Sequence, residues 1–257
     1  MALLEVSDLT KSFGGVTAIA DLHFEVPESQ VYSVIGPNGA GKTTLFNMLC
    51  GIYHPDEGKI LFEGEELIGK PPHGVAETGI SRTFQNLQMF FNMSVLDNIM
   101  VGCHLRTKGR LWNTALRLPS ILREERQARE WARDALCFCN LEPYIDQQAD
   151  ALPYGVLKRL EIARALAAKP KLLLMDEPAA GLNDTETLEM QSLIRRISES
   201  GITVLLVEHN MGLVMQVSDL ILVLDYGSRL AEGTPHEIQN SEKVIQAYLG
   251  GEVQYAV

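Results

Sequence analysis

The sequence predicts an α/β fold in which a largely parallel sheet is covered by helices, and three observations carry that expectation. After Pro170, short apolar runs alternate with helical patterns: KLLLM, a stretch from about Asp184 to Ser200, ITVLLVEH, MGLVMQVS and LILVLDYGSRLAEG. Alternation of this kind marks parallel strands joined by helical crossovers. The first 85 residues are mostly β in pattern, whereas strand signals vanish between about Ser94 and Asp150. Finally, 257 residues with 46% hydrophobic and 21% charged side chains are ordinary globular usage, enough for one large domain carrying an insertion.

The elements follow in chain order. LLEVSDL, VTAIADLHFEV and VYSVIG are apolar or alternating runs broken by Gly14-Gly15 and by Pro27 with polar neighbours, so each reads as a strand. GKILFEGEEL adds a short strand pair turned at Gly64, and ISRTFQN a strand ending near Phe84. VLDNIMVGCHL and ILREERQAREWARDALCFCNL read as helices, because Arg, Glu and Ala favour that state and Glu125 with Arg129 forms an i,i+4 pair in the favourable order. In the helix after Asn183, Met190, Leu193, Ile194 and Ile197 share one face, and Asn183 with Glu186 has capping-box spacing.

Bulk properties narrow the function. A formal net charge of −11 supplies no global positive field for a polyanion, which argues against a nucleic-acid partner. The longest aliphatic run, Leu220 to Leu224, falls far short of the roughly 20 apolar residues that a membrane span needs. MALLEVSDLTKSF lacks the pattern of a secretory leader, so the chain is expected to be soluble when isolated and to stay in the cytosol. Cys50, Cys103, Cys137 and Cys139 lack paired spacing and are expected to be reduced thiols on helices.

Chemistry is concentrated in two motifs. VYSVIGPNGAGKTT fits a phosphate-binding loop between a strand and a helix, formed by Gly36, Pro37, Asn38, Gly39, Ala40, Gly41, Lys42, Thr43 and Thr44. Its glycines let backbone N–H groups curl around phosphates, Lys42 reaches the β and γ phosphates, and the Thr43 hydroxyl suits Mg²⁺. In KLLLMDEP a buried strand runs into two acids. Asp176 can bind Mg²⁺, and Glu177 can polarise an attacking water as general base.

Two further motifs make the chain resemble the ABC ATPases. Gln85 in RTFQN stands at that family's glutamine between core and helical subdomain, and His209 in LLVEHN at its switch histidine. The resemblance implies that Gln85 senses Mg²⁺ or the attacking water, and that His209 contacts the γ-phosphate and holds Glu177. LPYGVLKRLEIARAL resembles the family's signature segment but places Pro153 at the serine, Tyr154 at the first glycine and Val156 at the glutamine, keeping Gly155. In this family that segment faces ATP held by a partner. PAAGLND resembles the loop between subunits, and Phe13 stands at the aromatic position that stacks on adenine.

The implied fold is a phosphate-loop NTPase core with a parallel sheet, an N-terminal antiparallel β subdomain and an inserted helical subdomain. Residues 1–85 and 151–257 would form the core, and about 86–150 the insertion. SRTFQNLQMFFNMSVLDNIMVG, RLEIARALAAKPKLLLMDEPAAGLN and VIQAYLGGE look most like the ATP-binding subunit of branched-chain or hydrophobic amino acid importers. Urea or amide importers and the lipopolysaccharide-export ATPase are the nearest alternatives; soluble non-transport ABC ATPases usually carry tandem cores, coiled coils or zinc fingers. The resemblance implies ATP and Mg²⁺, a second ATPase subunit, two membrane permeases and a periplasmic binding protein. It places the chain peripherally on the cytoplasmic face of the inner membrane.

Overall fold

A computed structural model describes residues 2–84, 87–107 and 119–250, so Gln85 lies outside the described residues. The chain begins with β1 (Ala2–Phe13) and β2 (Val16–Pro27), an antiparallel ribbon in register from Ala2 opposite Pro27 to Phe13 opposite Val16. β4 (Glu57–Phe62) pairs antiparallel with β1, and β5 (Glu65–Glu66) folds back on β4 through the turn at Gly64. The resulting sheet has the order β2-β1-β4-β5.

A second sheet has the order β10-β9-β3-β8-β7-β6. Its strands are β3 (Val31–Ile35), β6 (Ile80–Arg82), β7 (Leu172–Asp176), β8 (Thr203–Val207), β9 (Leu220–Asp225) and β10 (Ser228–Gly233). All neighbours run parallel except the β9–β10 hairpin at the edge. Every residue of β3, β7 and β8 is buried, as expected for inner strands covered on both faces. Strand periodicity divides their side chains between two cores. Leu172, Leu174, Leu205 and Val207 pack with Leu4, Phe24, Phe46 and Phe62 beneath the first sheet, while Leu173, Met175, Val204 and Leu206 pack with Val95, Ile99, Leu136, Leu160 and Ile194.

Helices α1 (Lys42–Leu49), α2 (Pro72–Glu77), α3 (Val95–Gly102), α4 (Pro119–Phe138) and α5 (Tyr154–Ala167) are followed by α6 (Asp184–Glu199), α7 (Met211–Val217), α8 (Pro235–Gln239) and α9 (Glu242–Gly250). α3, α4 and α5 pack on one another, and a Cβ at Gly102 would overlap the Arg164 carbonyl where α3 crosses α5. Ser94 caps α3 by accepting from the Asp97 N–H at 3.1 Å. The expected pairs are present: Glu125 and Arg129 approach to 3.9 Å, and Asn183 and Glu186 form a complete capping box on α6. All four cysteines are free thiols; Cys103 and Cys139 are buried, and burial pushes the Cys139 thiol up to about 12. Among the described residues no helix is long and apolar enough to cross a membrane.

Candidate nucleotide site

β3, β7 and β8 are neighbours, and the register places Val34 and Asp176 each beside Val207. The loops that follow them therefore emerge side by side at the carboxyl edge of the sheet, where open α/β sheets bind ligands. Gly36 and Gly41 are required there by close approach: a Cβ on the first would overlap the Leu224 carbonyl, and on the second the Ala18 carbonyl. Gly41 also sits at φ +101° as the residue preceding α1, which has no side-chain cap. The first-turn N–H groups of Lys42, Thr43 and Thr44 are thus left for an anion.

Lys42 is buried, and its Nζ donates to the carbonyls of Gly36 at 2.7 Å and Pro37 at 3.0 Å. Burial draws its pKa below the usual lysine value, opposed by the charges of Glu177 and Asp176. A cavity of 320 Å³ opens above the loop, lined by Asn38 to Thr44 and by Ala18, Glu177, Val207 and His209. His209 Nε2 lies 3.1 Å from Glu177 Oε1. Glu177 holds φ +49°, donates its N–H to the Val207 carbonyl at 2.9 Å and receives at its own carbonyl the Lys158 ammonium of α5 at 3.4 Å.

Other candidates lie apart from this cavity. Asp176 Oδ2 is ion-paired at 2.8 Å with Arg82, whose guanidinium also donates to Asn47 Oδ1 at 2.7 Å and sits over the rings of Phe46 and Phe84. Phe13, half-exposed at the tip of the β1–β2 hairpin, packs edge-on against Tyr53 at 5.2 Å; its ribbon reaches the cavity wall only at Ala18. Pro153 precedes α5 and its carbonyl accepts from the Val156 and Leu157 N–H groups, both at 3.0 Å, so it stands just outside the first turn of the helix. Tyr154 is exposed and lies against Gly181, while Gly155 is pressed by the Glu186 carboxylate. Pro153 and Gly155 line a separate recess with Arg159, Leu182 and Glu186.

Three residues that hold the site's residues from outside the cavity were not anticipated: Arg82, Lys158 and Glu208. Glu208 is 4% exposed; its Oε1 accepts from the Ala179 N–H at 2.8 Å, and its Oε2 from the N–H groups of His209 at 3.0 Å and Asn210 at 3.2 Å. Like Asp176-Glu177, it is an acid that directly follows a buried apolar run, here Val204 to Val207, the one signal that could have pointed to it.

Comparison with known proteins agrees with this geometry. A family model described as ABC transporter matches residues 19–180, and one described as branched-chain amino acid ATP-binding cassette transporter matches residues 228–254. The chain belongs to the ABC transporter family, as an ATP-hydrolysing subunit with the cassette fold. Within it, the chain is 46% identical over 249 residues to the high-affinity branched-chain amino acid transport ATP-binding protein BraF of Pseudomonas aeruginosa, covering 96% of this chain and 98% of BraF. Identity is 43% to LivG of Escherichia coli, over the same shares of the two chains, and 32% to the lipopolysaccharide export ATP-binding protein LptB of Haemophilus influenzae, over 97% and 98%. The ADP conformation of MJ1267, an ATP-binding cassette of an ABC transporter, superposes with a TM-score of 0.85 at 32% identity, covering 97% of this chain and 99% of that one. Cassettes of this family work as dimers with membrane permease subunits.

Proposed function

We propose that this chain hydrolyses ATP to power uptake of branched-chain or related hydrophobic amino acids. It would do so through two permeases, beside a second ATPase subunit and with a periplasmic binding protein, from the cytoplasmic face of the inner membrane. The carrying observation is the single cavity that gathers the phosphate loop, Glu177 and His209. In this reading Asn38 to Thr44 cradle the phosphates, Lys42 exchanges its carbonyl contacts for phosphate oxygens, and Glu177 takes the proton of the attacking water. His209, 3.1 Å from Glu177, keeps that carboxylate oriented and meets the γ-phosphate.

Mg²⁺ fits the donors in kind: the Thr43 hydroxyl lines the cavity, and the Asp176 carboxylate, another hard oxygen ligand, would join it by turning from its pair with Arg82, with phosphates completing such a site. Bound there, it would neutralise charge developing on the phosphates. By resemblance Gln85 senses that site, Phe13 stacks on adenine, and Pro153, Tyr154 and Gly155 face the partner's ATP. Residues 1–85 and 151–257 would form the nucleotide core, and residues 86–150 the part that meets the permeases. The exposed Phe90 and Phe91, and an apolar groove of 370 Å³ lined by Ile52, Val75, Phe84, Val101 and Leu105, support that docking face.

The test is Glu177→Gln, which keeps shape but removes the base. Hydrolysis should fall by about 10²–10⁴-fold while ATP affinity holds, and turnover within tenfold of wild type would reject Glu177 as base. Leucine-stimulated ATPase activity in the reconstituted transporter would identify the cargo class, and stimulation by lipopolysaccharide instead would replace it.

A further inference from the structure

We propose that Glu208 is a positioning residue for hydrolysis: its buried carboxylate fastens the loop after Glu177 to the turn that carries His209, and so sets the separation of those two side chains. The inference rests on the roles given above to Glu177 and His209. β7 and β8 are parallel neighbours whose last ladder pair is Asp176 with Val207. One more backbone bond, from the Glu177 N–H to the Val207 carbonyl, closes the ladder. From there the two chains diverge, one through Pro178 and Ala179, the other into His209 and α7.

Glu208 spans that divergence. One carboxylate oxygen holds the Ala179 N–H and the other holds the N–H groups of His209 and Asn210. Asn210 in turn caps α7 through its side chain, which accepts from the Leu213 N–H at 3.1 Å, so the turn is fixed at both ends. Bonds from N–H groups to a carboxylate are stronger than neutral ones, and a buried group held by three donors has little freedom to move. Glu208 does not line the nucleotide cavity, so it acts through its neighbours rather than on ATP.

Glu208→Gln keeps the volume but turns one acceptor into an NH₂ donor that faces a backbone N–H, which breaks one of the two links. In the full-length chain, kcat should fall about tenfold, a fraction of the loss expected for removing a general base. KM for ATP should stay within about twofold, because the phosphate loop is untouched. Residues acting as one unit are not additive, so Glu208→Gln combined with His209→Ala should be no slower than His209→Ala alone. A change that merely loosened the fold would instead multiply the two losses. Glu208→Ser, whose hydroxyl can serve the His209 turn but is too short for Ala179, should be slow as well, and supplies the test if the Gln variant does not fold. Turnover of a folded variant within about twofold of wild type, or multiplying losses in the double variant, would overturn the role of Glu208. Glu177→Gln measured alongside separates the two ideas: if it stays active the hydrolysis reading fails, and if it is inactive while Glu208→Gln is normal only the positioning role fails.

Discussion

Arg82 shows how one side chain can tie several elements together without touching the nucleotide cavity. It pairs with Asp176 at the end of β7, donates to Asn47 on α1 and lies over Phe46 and Phe84, with both members of the ion pair less than a tenth exposed. Breaking a buried pair by removing one partner leaves an uncompensated charge, so Arg82→Met should cost about 3–5 kcal/mol. A urea titration with a midpoint close to wild type would show the pair to be dispensable. The phosphate loop was legible in the sequence because its residues meet one another within nine positions of chain. Arg82 and Glu208 were not, because the partners that give them meaning are distant: Asp176 stands 94 residues from Arg82, and Ala179 stands 29 residues from Glu208.

At the level of elements, the starts of α5 and α6 interlock. Glu186 completes the α6 capping box by accepting from the Asn183 N–H at 3.0 Å, and the same carboxylate fills the space where Gly155 would carry a Cβ. Gly155→Ala should therefore displace Glu186 from the cap, at a cost of about 1 kcal/mol typical of a lost cap. In a Glu186→Ala background the same change should cost almost nothing, so equal losses in both backgrounds, measured by urea denaturation, would refute the link. The capping box itself was readable from the spacing of Asn183 and Glu186, whereas its contact with α5 was not. α2 and α8 escaped the reading as well, because they have only six and five residues and offer too little chain for a helical period to show.

Across the whole molecule, the core that holds α3, α4 and α5 is continuous with the sheet through Val31, Leu173, Met175, Val204 and Leu206. The helical stretch should consequently unfold together with the sheet. In a Trp112→Phe background, Trp131 on α4 reports that stretch, and its fluorescence transition in urea should coincide with the loss of backbone circular dichroism. Two separated transitions would reveal an independent unit. The alternation of strands and helices announced the parallel sheet, but no local pattern gave its order. That order bears on how the protein is made. β3, which leads into the phosphate loop, lies between β8 and β9, with Val31 beside Val204 and Tyr32 beside Leu220. The loop is also clasped from the far end of the chain, where the Gly227 N–H donates to the Ala40 carbonyl at 3.1 Å. A nascent chain on the ribosome therefore carries its most recognisable motif beside an unpaired strand until β8 and β9 have emerged. A chain released short of the β9–β10 hairpin would expose one edge of this apolar central strand to aggregation and proteolysis.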